Sequence, residues 1–249
     1  MIRLACPLLS SLLVAACAST PASLPTAAQY DDTARLLGAA ASTPGGGGEL
    51  GSMADVVAFA RGQTITCFAA DDRGKISGTH YGLTYSYTLA CEGQDGEALA
   101  RCGAATASAD ATIDWSGNLV LPDFSASVDR SGEVHVTGLA GPVAKFDGTG
   151  SFTFEAVVGS APDATSYTLA ADAIYDGVLV DTTTHASLGG EIAYHVLATL
   201  PTEAKSDAPD PQFEVHAAVT LAADGSATLV LDGSHVYAVN PATGIIAAQ

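Results

Sequence analysis

From Tyr81 to Cys91 the chain alternates with a period of two. Tyr81, Leu83, Tyr85, Tyr87, Leu89 and Cys91 fall on one face, and Gly82, Thr84, Ser86, Thr88 and Ala90 on the other. Successive side chains point in opposite directions only in extended backbone, so the run reads as a strand with one buried face. The pattern recurs at Ala111-Ile113-Trp115, Phe152-Phe154-Ala156-Val158 and Tyr167-Leu169-Ala171-Ala173-Tyr175. It returns at Ile192-Tyr194-Val196-Ala198-Leu200, Phe213-Val215-Ala217-Val219-Leu221 and Ala227-Leu229-Leu231. Between the runs stand turn signals: Asp71-Asp72-Arg73-Gly74, Asp129-Arg130-Ser131-Gly132, Asp147-Gly148, Ala223-Asp224-Gly225-Ser226 and Asn240-Pro241-Ala242-Thr243-Gly244. Asp-Gly and Asn-Pro pairs supply the backbone angles that hairpins need.

Parallel strands require crossovers of a dozen or more residues, and no sustained amphipathic helix lies between these runs. The expected fold is therefore mainly β: an antiparallel meander of roughly 9–12 strands. A sheet of that size must curl, split or close. The reading is a strongly bent sheet or incomplete barrel, covered by one or two short N-terminal helices. A β-sandwich is the other architecture the pattern allows. A membrane barrel does not fit, because lipid-facing strands need apolar bands with aromatic girdles.

The expected helices lie within residues 30–62. Tyr30, Ala34, Leu37 and Ala41 recur at helical spacing, with Asp31 and Asp32 placed for a first turn. Thr43-Pro44 and Gly45 to Gly48 then interrupt the pattern. A second helix is expected from Met53 to Arg61, with Ser52 as N-cap and Gly62 closing it. Met53, Val56, Val57 and Ala60 share one face of it. Helices this short need tertiary packing, so they should cover a sheet face; a lid over an apolar groove is the functional alternative.

The N-terminus carries a separate signal. Arg3 precedes an apolar run from Leu4 to Val14, followed by Ala15, Ala16 and Cys17. The run is too short to span a bilayer. Residues 13–17, Leu-Val-Ala-Ala-Cys, resemble the lipobox of bacterial lipoproteins. The resemblance implies a signal peptide over residues 1–16, a lipidated Cys17 followed by a flexible tether to residue 29, and a single β-rich domain over 30–249. Acyl chains at about 0.8 kcal/mol per buried CH₂ make such an anchor stable. Ala18 in place of an aspartate implies the outer membrane, with the domain facing periplasm or cell surface.

The chain holds 9 Lys+Arg against 27 Asp+Glu, a formal net charge of −18. That balance repels phosphate backbones and excludes a nucleic-acid partner. Beyond Cys6 and Cys17, the remaining cysteines are Cys67, Cys91 and Cys102. In an oxidising compartment three single pairings are open. Cys91 with Cys102 is favoured, because the two flank the turn-rich stretch Glu92 to Gly96.

Catalytic motifs are missing. There is no Gly-x-Ser-x-Gly elbow, no phosphate loop and no zinc or redox Cys/His spacing. His195, His216 and Asp232 form the one weak metal candidate, on the polar faces of adjacent strands; a solvated polar sheet face with a cross-strand His–Asp pair is the preferred reading. No cofactor is expected. The functional expectation is a non-enzymatic envelope lipoprotein held to the membrane through Cys17. Its role would be structural, or to bind a protein or apolar small molecule. An exported hydrolase with a loop-borne site is the alternative.

Overall fold

The computed structural model describes residues 23–42, 47–121, 124–159, 162, 164–201 and 210–249. Two helices, α1 (Ala27–Ala41) and α2 (Gly48–Ala60), precede twelve strands. These are β1 (Phe68–Ala70), β2 (Ile76–His80), β3 (Leu83–Glu92), β4 (Ser108–Leu121), β5 (Phe124–Thr137) and β6 (Val143–Val158). There follow β7 (Thr165–Asp181), β8 (Ser187–Thr199), β9 (Gln212–Leu221), β10 (Ala227–Leu231), β11 (His235–Val239) and β12 (Ile246–Ala248). Every strand pairs antiparallel with its sequence neighbour, in the order β1 through β12. The meander is one bent sheet, neither a closed barrel nor a sandwich. Its curl is strong: Leu121 and Phe124, at the β4–β5 turn, line one depression together with Ile246 of β12.

The inward face holds the core. Leu83, Tyr85, Tyr87, Ile113, Trp115, Phe152, Phe154, Tyr175, Tyr194 and Val196 are all buried. Both helices pack on that face and on each other: α1 touches β4, β10, β11 and β12, and α2 touches β3, β4 and β7. From Leu36 to Ala41 every residue of α1 is buried. A helix apolar all round is surrounded rather than laid on a surface. The helices fill the bend of the sheet.

Several local expectations change. Helix α1 starts three residues early, at Ala27, because Thr26 and Gln29 form a capping box. Helix α2 begins at Gly48, and Ser52 lies inside it, donating to the Glu49 carbonyl at 2.7 Å. Gly62, with φ +75°, does close that helix. Tyr81 is 46% exposed rather than inward. With Gly82 it forms the two-residue turn between His80 and Leu83, both central residues having positive φ. Asp129 to Gly132, which reads as a turn, lies in the middle of β5, and Asp147-Gly148 is a register shift within β6.

Candidate functional site

The two helices are fastened to the sheet by polar groups as well as apolar ones. Arg130 projects from the inward face of β5 to Glu49 in the first turn of α2. Its Nε donates to Glu49 Oε2 at 3.0 Å and its Nη2 to Oε1 at 2.7 Å. Nη2 also donates to the Tyr175 hydroxyl at 3.0 Å, and Nη1 to the Ile113 carbonyl. Both charged side chains are fully removed from solvent. The fork is bidentate, and the carboxylate lies in the first turn of the helix, where negative charge is placed well against the helix dipole. Burial pulls the guanidinium pKa down, but the attraction and hydrogen bonds of Glu49 and Tyr175 together outweigh it and hold the group above its ordinary value.

Glycines make room for this pair. A Cβ on Gly150 would stand 2.5 Å from the Tyr175 hydroxyl and 3.3 Å from Arg130 Nη2; one on Gly132 would meet the Thr149 carbonyl oxygen at 2.4 Å and Gly150 Cα at 2.7 Å, with Arg130 Cζ at 3.2 Å.

Tyrosines complete the fastening. The Tyr85 hydroxyl accepts from the Gly48 N–H at 2.9 Å, and Tyr87 donates to Asp55 at 2.8 Å. For α1, Tyr167 donates to Asp32 at 2.7 Å and Tyr237 to Asp31 at 2.8 Å. Tyr30, on α1 itself, donates to Asp232 at 2.7 Å. Burial pushes the Asp55 carboxyl up to about 6, against the opposing pull of the Tyr87 hydrogen bond. Burial likewise raises the phenols of Tyr85, Tyr87, Tyr167 and Tyr237. These groups tie helix to sheet, and both side chains of the Arg130–Glu49 pair are buried beneath them.

A shallow depression of about 510 Å³ lies on the outer face over Asp110, Glu133, His135 and Asp147, and one of about 640 Å³ lies beside Phe59, Asp71 and Arg101; two others lie at the rim of the bend. One of these, of about 340 Å³, sits beside Leu50 and Ala54 of α2, under the turns holding His185, Gly225 and Pro241. Another of about 190 Å³ lies between Ala39 and the Tyr81 turn. Neither brings together a nucleophile, a base and an orienting group.

The residues singled out from sequence fare differently. Cys17 lies outside the described residues. Cys91 and Cys102 are joined in a disulfide with a Cα–Cα distance of 5.4 Å, and Cys67 is free and exposed. His195 and His216 stand directly opposite each other on β8 and β9. Asp232 is not their partner in a donor cluster. Its Oδ1 accepts from the His216 backbone N–H at 2.8 Å and its Oδ2 from Tyr30. It thereby replaces the ladder bond just past the end of β10 and pins α1 at the same time. The third member of the cluster is Glu214, two residues before His216 on the same face of β9. His195 Nε2 and His216 Nε2 lie 2.6 Å and 3.5 Å from Glu214 Oε1. Period-two spacing already placed Glu214 and His216 together; what sequence lacked was the rotamer that turns the carboxylate toward both rings.

No family model, curated protein or solved structure matches the chain.

Proposed function

We propose that this chain is a lipid-anchored envelope protein of non-enzymatic role, a solid β module that serves a structural purpose or binds a partner on its outer surface. One observation carries the reading of a solid module. The bend of the sheet, where a half-barrel carrier would hold an apolar ligand, is occupied by α1 and α2, with Trp115, Phe152, Tyr85 and Tyr175 no more than 2% exposed. An interior of this kind has no room for an apolar guest. The outer membrane address rests on the lipobox-like residues ending at Cys17 and on Ala18.

The start of the domain supports a short leash. Ser23 donates its N–H to the Gln212 carbonyl at 3.0 Å, and its hydroxyl donates to the same oxygen at 3.1 Å. The chain is therefore already attached to β9 six residues after Cys17, rather than at residue 30. Six residues span at most about 20 Å, so a lipidated Cys17 would keep the Gln212 end of the sheet close to the bilayer.

The test is mass spectrometry of the mature N-terminus from membrane fractions of cells making the wild-type chain or Cys17→Ala. The expected wild-type peptide begins at Cys17 and carries acyl chains, while the variant leaves the membrane fraction. A bare Cys17 in wild-type protein would overturn the address. A stoichiometric apolar ligand retained by the delipidated domain in native mass spectrometry would overturn the solid-module reading.

A further inference from the structure

We propose that His195, Glu214 and His216 form a surface site for a first-row divalent transition-metal ion such as zinc or copper, on the outer face of the sheet opposite the helices. Three observations converge on it. First, the donors are of the right kind: two imidazoles and a carboxylate suit zinc and copper, whereas magnesium and calcium prefer oxygen alone. Second, the spacing fits. Tetrahedral zinc with bonds of 2.0–2.1 Å needs its ligand atoms about 3.3 Å apart. The distances of 2.6 Å and 3.5 Å from the two Nε2 atoms to Glu214 Oε1 bracket that value, and all three donor atoms lie within 4.8 Å of one another. Third, the backbone is fixed while the side chains are not. His195 and His216 are register partners in the interior of the ladder, with rings 5.0 Å apart and 21° from parallel. The side chains themselves are 45–71% exposed, which leaves them free to close around an ion.

Asp232 acts here as a positioning residue. By accepting the His216 N–H it holds the end of the β9–β10 ladder where His216 emerges. The excess of acidic groups over the chain raises the local concentration of cations and helps loading. Three protein ligands leave a fourth position for water or for a donor from another molecule. The site therefore lets the outer face recognise a metal ion, or a partner through one.

Calorimetric titration of the untagged full chain in detergent with zinc tests this. The expected result is one zinc ion per chain, with affinity reduced more than about 10-fold in each of His195→Ala, His216→Ala and Glu214→Gln. His135→Ala, which alters the separate His135–Asp110 pair on the same face, should bind as wild type. All four substitutions replace exposed side chains, and matching circular dichroism confirms their folding. Zinc affinity unchanged in the His195→Ala, His216→Ala double variant would overturn the proposal, as would displacement of zinc by excess magnesium.

Discussion

Arg130 and Glu49 meet at 2.7 Å with both side chains fully buried, and this contact joins the middle of the sheet to the start of α2. Burying two charges is expensive, and the pair offsets that cost only while both members are present. Arg130→Met alone leaves a carboxylate without its fork and should cost about 3–5 kcal/mol. The double change Arg130→Met, Glu49→Leu should recover most of that loss. Urea unfolding of the two variants checks it; a single variant as stable as wild type would show that the pair does not hold α2.

Asp55 gives the helix–sheet interface a pH dependence. Burial holds its folded-state pKa at about 6, above the ordinary carboxyl value of 3.8. The stability linked to its protonated form is whole below about pH 4 and is lost as the pH rises through 6. A shift of this size corresponds to at most about 3 kcal/mol. Asp55→Asn keeps an acceptor for the Tyr87 hydroxyl and removes the ionisation. The variant should gain on wild type between pH 4 and 7 in denaturation midpoints; parallel curves would contradict the assignment.

The Cys91–Cys102 disulfide, with a sequence separation of 11, clips the segment between β3 and β4. Closing a loop of that length in the unfolded chain stabilises by about 3 kcal/mol in the chain-entropy account. Cys91→Ala, Cys102→Ala should lower stability by that order and leave the β3–β4 pairing intact. Equal midpoints for variant and wild type would remove the bridge from the account.

The meander was legible because alternation persists through the strands from Leu83 to Leu231 and turn signals such as Ala223 to Ser226 fall between them. In β5 the reading failed because a polar residue pointed inward. Asp129-Arg130-Ser131-Gly132 has the composition of a turn, yet Arg130 is paired inside and Gly132 clears space for its head group. Nothing local separates these uses, since the deciding partner, Glu49, lies 81 residues away. The same pair explains why α2 reaches back to Gly48 through weak helix formers: tertiary contact overrides propensity there. At the donor cluster, period two brought His195, Glu214 and His216 onto one face. Asp232, a reasonable ligand by register, is consumed by the His216 N–H and Tyr30.

The central claim is that α1 and α2 are a permanent filling of the bent sheet. Native-state hydrogen exchange at the Val56 and Val57 amides of α2 tests it most directly. Both residues are fully buried, and their exchange should require global unfolding, with protection equal to that of the β6 and β7 amides. Exchange of α2 orders of magnitude faster than those strands would show that the helices lift away while the sheet stays folded, and would contradict it.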